Sequence, residues 1–258
     1  MVQQFLARAI RQEVERCFPA FSSAPVNVSI GKAGGPFQAT SNVPLKLSAA
    51  AAGAQGVAQT LQQSLADHWG DWFTTAISHR GALRFRLAEQ AVLTWAGPSI
   101  AESLPQAIAR AKILASSGSI HHVDEADSEL ICPLWLAITH LDGVLEFLGR
   151  LNPAAEPEPA GNASAIALPP AIPSSLSILL CSLALLPDRI GAAKSRQQRL
   201  EAIAEPIQQF NTHRASHPLL PAGESSGGAA ALQRFTAWAY QLLRNALLQC
   251  RELAPESG

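Results

Sequence analysis

The densest group of side chains that could bind a metal ion lies in the segment SIHHVDEADSE, at residues 119–129. It contains two histidines and four acidic residues: His121, His122, Asp124, Glu125, Asp127 and Glu129. Imidazole and carboxylate groups are ligands that many divalent cations accept. The alternative is a solvated loop in which Asp124 or Asp127 caps a helix whose acidic first turn suits the helix dipole. We expect the second, and therefore predict no metal site and no cofactor.

Basic side chains in two places could contact nucleic acid. Arg84 and Arg86 lie on one predicted strand, beside Arg80 in the preceding turn. Because side chains alternate across a strand, Arg84 and Arg86 share a face that could contact phosphates. A second group begins a long predicted helix, at Lys194, Arg196 and Arg199. In both places the alternative is a charged face that meets only solvent.

The elements that would position the first group form a small α/β domain over residues 1–97. An amphipathic helix over residues 1–18 ends at Pro19, and VNVSI alternates like a strand. The segment GKAGGPFQATS is predicted as a glycine-rich loop, followed by two helices. WFTTAIS and ALRFRLA are predicted as two strands around the turn His79-Arg80-Gly81. A short helix then ends at Trp95, where AGP breaks it.

Residues 98–258 are predicted to form an all-α helical bundle, which makes the chain an α+β protein. Helical periodicity marks the ranges 105–116, 126–151, 171–186, 188–213 and 229–252. A Pro/Ala-rich loop interrupts the bundle at 152–170. The last helix has an apolar stripe that runs from Leu232 to Cys250.

Composition favours a folded, reduced and soluble protein. The chain has 258 residues, of which 48% are hydrophobic and 15% charged, and its net charge is −1. The four cysteines are far apart, which fits neither a zinc site nor a disulfide framework. The apolar run SLSILLCSLALL is shorter than the roughly 20 residues that span a membrane. Glu13 and Glu15 argue against a targeting peptide. We expect a cytoplasmic protein that has no membrane partner.

The C-terminal sequence resembles the arginyl-tRNA synthetase family. LRNALLQCRELAPE is similar to the end of that family's DALR anticodon-binding bundle, and FNTHRASHPLL (residues 210–220) is similar to a preceding helix and its exit. The resemblance implies that residues 98–258 form a DALR-like bundle. It also implies that Asn211 and Arg244 reach RNA. Where the family has a phenylalanine–tyrosine pair, this chain has His213 and Arg214, and the guanidinium of Arg214 could stack on a base.

The N-terminal sequence resembles the domain with which the same family contacts the tRNA elbow. That signature is matched here by Lys32, Gly35, Phe37, Gln38 and Asn42. The resemblance implies that Phe37 and Gln38 stack on and hydrogen-bond an unpaired base. The alternative is that Phe37 fills the core of the domain beneath the glycine-rich loop.

The family's catalytic core is missing between the two regions. Residues 98–170 are too few to hold it, and neither an HxGH-type signature nor a KMSKS-like loop occurs. We therefore expect no enzyme, because no residues remain to bind ATP and an amino acid. The resemblance implies a non-catalytic adaptor that holds tRNA, with arginine tRNA as the first candidate. The alternative is a scaffold or assembly subunit that binds a protein and has lost tRNA binding.

Overall fold

The structure of the protein is a computed structural model. It describes residues 1–47, 53–116, 128–151, 169, 172–217, 227–250 and 253. Residues 119–127 of the acidic segment, residues 152–168 and 170 of the predicted loop at 152–170, and the terminal Ala-Pro-Glu lie outside the described residues. The chain divides into two compact units, Met1–Val92 and Leu93–Gly258, a boundary slightly earlier than the predicted one at residue 97.

One antiparallel sheet forms the centre of the N-terminal unit. Its four strands follow the order β1-β2-β4-β3. They are β1 (Val28–Ile30), β2 (Ala39–Ser41), β3 (Phe73–Ile77) and β4 (Leu83–Leu87). Helices α1 (Val2–Cys17) and α3 (Gly53–Trp69) pack on each other and against the sheet, and α2 (Val43–Leu47) packs on α3. Phe73 and Phe85 meet edge to face beneath them, with ring centroids 5.3 Å apart.

The predicted hairpin is confirmed. Strands β3 and β4 pair antiparallel, with Ile77 opposite Leu83. Gly81 has a φ of +84°, a left-handed conformation that glycine adopts without the steric cost of a Cβ. Ser78 closes the turn because its carbonyl accepts from the Gly81 N–H at 2.9 Å.

The loop prediction for GKAGGPFQATS is wrong at its end, because β2 lies within it. Thr40 pairs with Ser29 of β1 on one side and with Arg84 of β4 on the other. Three residues are too few for a clear alternation, and Ala39, Thr40 and Ser41 include only one β-branched side chain. Tertiary pairing on both sides therefore decides this strand.

Helices make up the described part of the second unit. They are α4 (Glu89–Pro98), which begins in the first unit, α5 (Leu104–Ser116), α6 (Ser128–Leu151), α7 (Ser174–Ala192), α8 (Arg196–Ser216) and α9 (Gly227–Cys250). A π-helical turn, Ser99–Ser103, joins α4 to α5. Together with the sheet, this establishes the α+β class.

Two predicted breaks in these helices are wrong. The helix does not end at Trp95, because Pro98 keeps helical angles of −60° and −31° and buried Ser99 donates a hydrogen bond to the Ala184 carbonyl at 3.1 Å. Helix α7 does not end before Pro187 but continues through it to Ala192, and α8 begins only at Arg196. Pro187 and Ile190 are buried, so packing outweighs the cost of a proline inside the helix.

Helix α7 is the most deeply buried helix of the second unit. It packs against α5, α8 and α9. Among the described residues it is the one helix that is long and apolar enough to cross a membrane, but 67% of the apolar window is buried by the rest of the protein. Its apolar surface is therefore used as bundle core.

Candidate RNA-binding surface

Arg84 and Arg86 lie side by side on the solvent face of a central strand. In β4, Leu83, Phe85 and Leu87 are buried, whereas the two arginines are exposed. Alternate residues of a strand are about 7 Å apart, so both guanidinium groups can act on one stretch of backbone. The structure thus brings these two predicted RNA-binding residues together.

The strands around the two arginines add hydroxyl groups and no acidic groups. Exposed Thr40 lies opposite Arg84, and exposed Thr74 lies opposite Arg86. Ser29 continues the same row on β1. None of the four described strands contains an aspartate or a glutamate. We call the exposed surface of Ser29, Thr40, Thr74, Arg84 and Arg86 the open sheet face.

Phe37 stands at the edge of the open sheet face. Its ring is half-buried, and the Arg84 guanidinium carbon lies 5.7 Å from the ring centroid. A cation over an aromatic face is attracted by the ring quadrupole, which fixes the guanidinium next to the ring. Phe37 is therefore neither a buried core plug nor a freely rotating surface residue, and its partly exposed ring could stack on a base.

Gln38 holds the loop from inside instead of lining the surface. It is 7% exposed, and its side-chain nitrogen donates to the carbonyls of Ala33 at 3.2 Å and Gly35 at 2.8 Å. Its side-chain oxygen accepts from the Leu87 N–H at 3.0 Å. Because these bonds occupy both ends of the amide, the Gln38 side chain supports the loop and has no free polar group for a ligand.

Lys32 and Asn42 flank the same region. Lys32 is exposed, and its carbonyl accepts from the Gly35 N–H at 3.2 Å in the loop that Gln38 holds. Asn42 is exposed and immediately precedes α2, where its carbonyl accepts from the Leu45 N–H at 3.1 Å. Both residues are thus available to solvent on ordered backbone.

The basic residues at the start of α8 do not form an equivalent surface. Lys194 is exposed. Arg196 begins the helix, and its side chain is outside the described part. The Arg199 guanidinium donates to the Ala111 carbonyl of α5 at 3.0 Å and to the Ser195 carbonyl at 3.4 Å. Arg199 therefore joins two helices, a role that the sequence did not reveal.

The other predicted bundle residues lie at the far end of α8 or on α9. Asn211 and Arg214 are exposed, and the Arg214 guanidinium lies 3.4 Å from the His140 ring nitrogen Nδ1 on α6. Arg244 of α9 is paired with Asp142 of α6. A rise of 1.5 Å per residue puts the Arg196 end of α8 about 27 Å from Arg214 along the helix. The basic residues at the start of α8 are thus far from Arg214, whereas Arg214 and Arg244 both reach α6, at His140 and Asp142.

A cluster that the sequence analysis did not single out joins α7 to α8. The Ser175 hydroxyl lies 2.7 Å from Nδ1 of His213 and 3.5 Å from Nδ1 of His217. The two rings stack, with centroids 4.9 Å apart. Burial, and then the neighbouring His217, lowers the pKa of His213 to about 4, so this ring is neutral near pH 7. The sequence signal was the spacing of the two histidines by four residues in HRASH.

A second missed cluster surrounds Glu13 in the N-terminal unit. Its carboxylate is 1% exposed and accepts from the Ser64 hydroxyl, from Trp69 Nε1 at 3.0 Å and from Arg16 at 3.1 Å. It thereby joins α1 to the end of α3. The signal was the position of an acidic residue inside an apolar helical stripe, three residues after Ile10.

The cysteine thiols that the structure describes are unpaired. Cys17, Cys181 and Cys250 form no disulfide, and burial raises the pKa of the Cys181 and Cys250 thiols to about 12. A thiol must ionise to act as a nucleophile, so these two are chemically inert near pH 7. Within the described ranges, no three side chains of His, Cys, Asp or Glu come together.

Comparison with known proteins adds no relative. A scan against protein-family models, a search among curated proteins and a search among solved structures each found no match to this chain. Its function must therefore be argued from its own residues.

Proposed function

We propose that this protein binds tRNA through the open sheet face and holds it without catalysing a reaction. One observation carries the proposal: Arg84 and Arg86 share an exposed strand face free of acidic residues, next to a partly exposed Phe37. Two guanidinium groups contact phosphates, and an aromatic ring at their edge stacks on an unpaired base. Loops of structured RNA supply both features.

The charge of the N-terminal part supports this role. Residues 1–97 carry eight Lys/Arg and five Asp/Glu, whereas residues 98–170 carry three and nine. Glu13 is buried and accepts hydrogen bonds from three side chains, so it is shielded from a ligand at the surface. Positive charge on one face attracts the phosphate backbone, and each phosphate contact predicts a decrease of the binding constant with salt, with a slope of roughly 0.7 to 0.9 on a logarithmic scale.

We further propose that the protein is a relative of arginyl-tRNA synthetases and serves as an adaptor that presents tRNA, with arginine tRNA as the first candidate. The motifs around Phe37 and Phe210 support this descent. In the bundle, exposed Asn211 and Arg214 remain candidates for a second contact, but Arg199 and Arg244 already have internal partners. We therefore place the main contact on the open sheet face.

The decisive experiment measures tRNA affinity across a salt series for the whole protein. The variant carries Arg84→Gln and Arg86→Gln. The matched control carries Arg8→Gln and Arg11→Gln, which remove the same charge from exposed positions of α1, the helix whose Phe5 packs against Phe73 on the opposite face. We expect the variant to lose affinity and its salt slope to fall by roughly 0.7 to 0.9 per arginine. The control should change less than half as much.

The comparison ligands are arginine tRNA, a tRNA for another amino acid and an unstructured RNA of the same length. Preference for both tRNAs over the unstructured RNA supports the proposal, and an additional preference for arginine tRNA supports the descent. Equal affinity for all three, or no salt slope, would refute tRNA recognition.

A protein partner is the second candidate function, and exposed apolar residues on α6 favour it. Leu136 is 58% exposed and Phe147 is 44% exposed. Eleven residues are about three helical turns, so both lie on the same side of α6. The test is native purification of the wild type and of a Leu136→Ser, Phe147→Ser variant. A stoichiometric protein that only the wild type retains, without RNA, supports this function. A chain that carries tRNA alone contradicts it.

A further inference from the structure

Arg84 and Arg86 differ in one contact, although they share an exposed strand face. The guanidinium of Arg84 lies over the ring of Phe37, with its central carbon 5.7 Å from the ring centroid. Within the described part of the chain, Arg86 has no such aromatic partner, and neither guanidinium is engaged in a hydrogen bond or an ion pair. The two residues therefore present the same charge in two different settings.

The ring beneath Arg84 is held by the backbone on both sides. The next residue, Gln38, donates from its N–H to the Phe85 carbonyl of β4 at 2.8 Å. Its carbonyl accepts from the N–H of Gly31, just after β1, also at 2.8 Å. Phe37 is half-buried, and a cation over an aromatic face is attracted by the ring quadrupole. The plane that supports Arg84 is thus in place before a ligand binds.

A guanidinium group offers two different surfaces to a ligand. Its N–H groups lie in its plane and donate to phosphate oxygens, whereas its flat faces stack on aromatic systems. One face of Arg84 is turned to Phe37, and the side chain is exposed to solvent. The opposite face is therefore left for a second flat group.

We propose that Arg84 is the base-stacking residue of the open sheet face. An unpaired RNA base lies on the outer face of its guanidinium, which itself lies on the Phe37 ring. Arg86 contacts phosphate and does not stack. This inference rests on the RNA-binding function proposed above, and it identifies the ligand of this site as an unpaired loop nucleotide and not the backbone of a duplex.

The neighbours of Arg84 leave room for a base. Thr40 of β2 lies opposite Arg84 on one side and Ala76 of β3 on the other, and both side chains are short. Arg86 is two residues further along the strand, about 7 Å away. At that distance it reaches the sugar–phosphate backbone beside the stacked base.

The first test compares lysine substitutions at the two positions in the whole protein. Lysine keeps the positive charge but has no flat face, so Arg84→Lys should lower tRNA affinity by about tenfold with an unchanged salt slope. Arg86→Lys is the matched control on the same strand. Both positions are exposed, so the thermal midpoint should change little in either variant.

The second test removes the base instead of the protein side chain. The unpaired nucleotides of the tRNA are replaced by abasic nucleotides, one loop at a time. For the wild type and for Arg86→Lys, one of these replacements should lower the affinity by about tenfold. For Arg84→Lys the same replacement should lower it by less than about threefold, because the stacking contact is already lost.

The outcomes separate this inference from the proposed function. An equal loss in the wild type and in Arg84→Lys on abasic replacement would overturn the inference and leave tRNA binding intact. The same conclusion would follow if no loop replacement weakened binding by the wild type. If the wild type did not bind tRNA at all, the proposed function would be refuted and this inference with it.

Discussion

The side chain of Gln38 accepts a hydrogen bond from the backbone N–H of Leu87 at 3.0 Å, across 49 residues of sequence. Through the other end of the same amide, it holds the carbonyls of Ala33 and Gly35. One buried side chain therefore joins the end of β4 to the loop that carries Lys32 and Phe37. This contact places Phe37 beside Arg84, so Gln38 supports the proposed surface without lining it.

Replacing Gln38 should reduce stability. Gln38→Ala removes three hydrogen bonds and leaves the Leu87 N–H without its acceptor, which should lower the free energy of unfolding by about 2 kcal/mol. Urea denaturation followed by circular dichroism measures this. Gln12→Ala, the same change at an exposed position of α1, is the control and should change it by less than about 0.5 kcal/mol. If Gln38→Ala were as stable as the control but lost tRNA affinity, Gln38 would act on RNA directly.

The salt dependence of tRNA affinity should distinguish the contribution of base stacking on the open sheet face from that of its charge. Phe37→Leu keeps an apolar side chain but removes the aromatic plane, so tRNA affinity should fall by about 1 to 2 kcal/mol with an unchanged salt slope. Arg86→Gln should instead reduce the slope by about one. Fluorescence anisotropy at several salt concentrations measures both. A change of slope in Phe37→Leu would mean that the ring acts only by positioning Arg84.

Loss of the buried carboxylate at Glu13 should destabilise the N-terminal unit. Glu13→Gln removes the negative charge, so the Trp69 Nε1–H, the Ser64 hydroxyl and the Arg16 guanidinium lose their charged acceptor. We expect the free energy of unfolding to fall by about 2 kcal/mol. Native-state hydrogen exchange of the amides of β3 and β4 measures this loss in the N-terminal unit. Glu15→Gln, an exposed position of the same helix, should be neutral; equal effects would contradict the buried cluster.

The Arg199 guanidinium should contribute to the stability of the helical bundle and not to tRNA affinity. Arg199→Gln removes the hydrogen bond to the Ala111 carbonyl, which joins α8 to α5, and should cost about 1 to 2 kcal/mol of unfolding free energy. Affinity for tRNA should stay unchanged within error. Lys194→Gln, which removes the same charge from an exposed position nearby, should leave stability intact. A loss of tRNA affinity in Arg199→Gln alone would restore the phosphate contact predicted from the sequence.

Periodicity predicted the elements that bury a regular apolar face. The hairpin around Gly81 and the alternation of Leu83, Arg84 and Phe85 were readable, because each strand is long enough to show its period. The pair Arg84 and Arg86 was readable for the same reason. Strand β2 could not be predicted, because its three residues are held in a strand by pairing with β1 and β4 on either side.

The internal hydrogen bonds of polar side chains could also not be predicted from the sequence. Gln38 and Arg199 are polar residues whose partners lie 49 and 88 residues away, and sequence spacing gives no sign of such contacts. The helix breaks predicted near Pro98 and Pro187 were wrong because a local signal was given too much weight. Each proline is a local helix breaker that the burial of its neighbours overrides.

Acid should destabilise the bundle through His213. Its pKa falls from 6.5 to about 4 on folding, so the unfolded chain binds this proton at a higher pH than the native protein does. Well above pH 6.5 the imidazole is neutral in both states, so its titration does not affect stability. As the pH falls from 6.5 toward 4, the unfolded state gains the proton first, and the free energy of unfolding should fall by on the order of 3 kcal/mol in total.

Urea unfolding at intervals between pH 7.5 and 4 measures how the free energy of unfolding changes with pH. His213→Phe removes the titrating group while keeping a ring against Tyr240, so its stability should decline less over this range. His79→Gln removes an exposed histidine and should keep the wild-type slope. Parallel curves for wild type and His213→Phe would show that the ring is protonated equally in both states, which its burial beneath Tyr240 and His217 argues against.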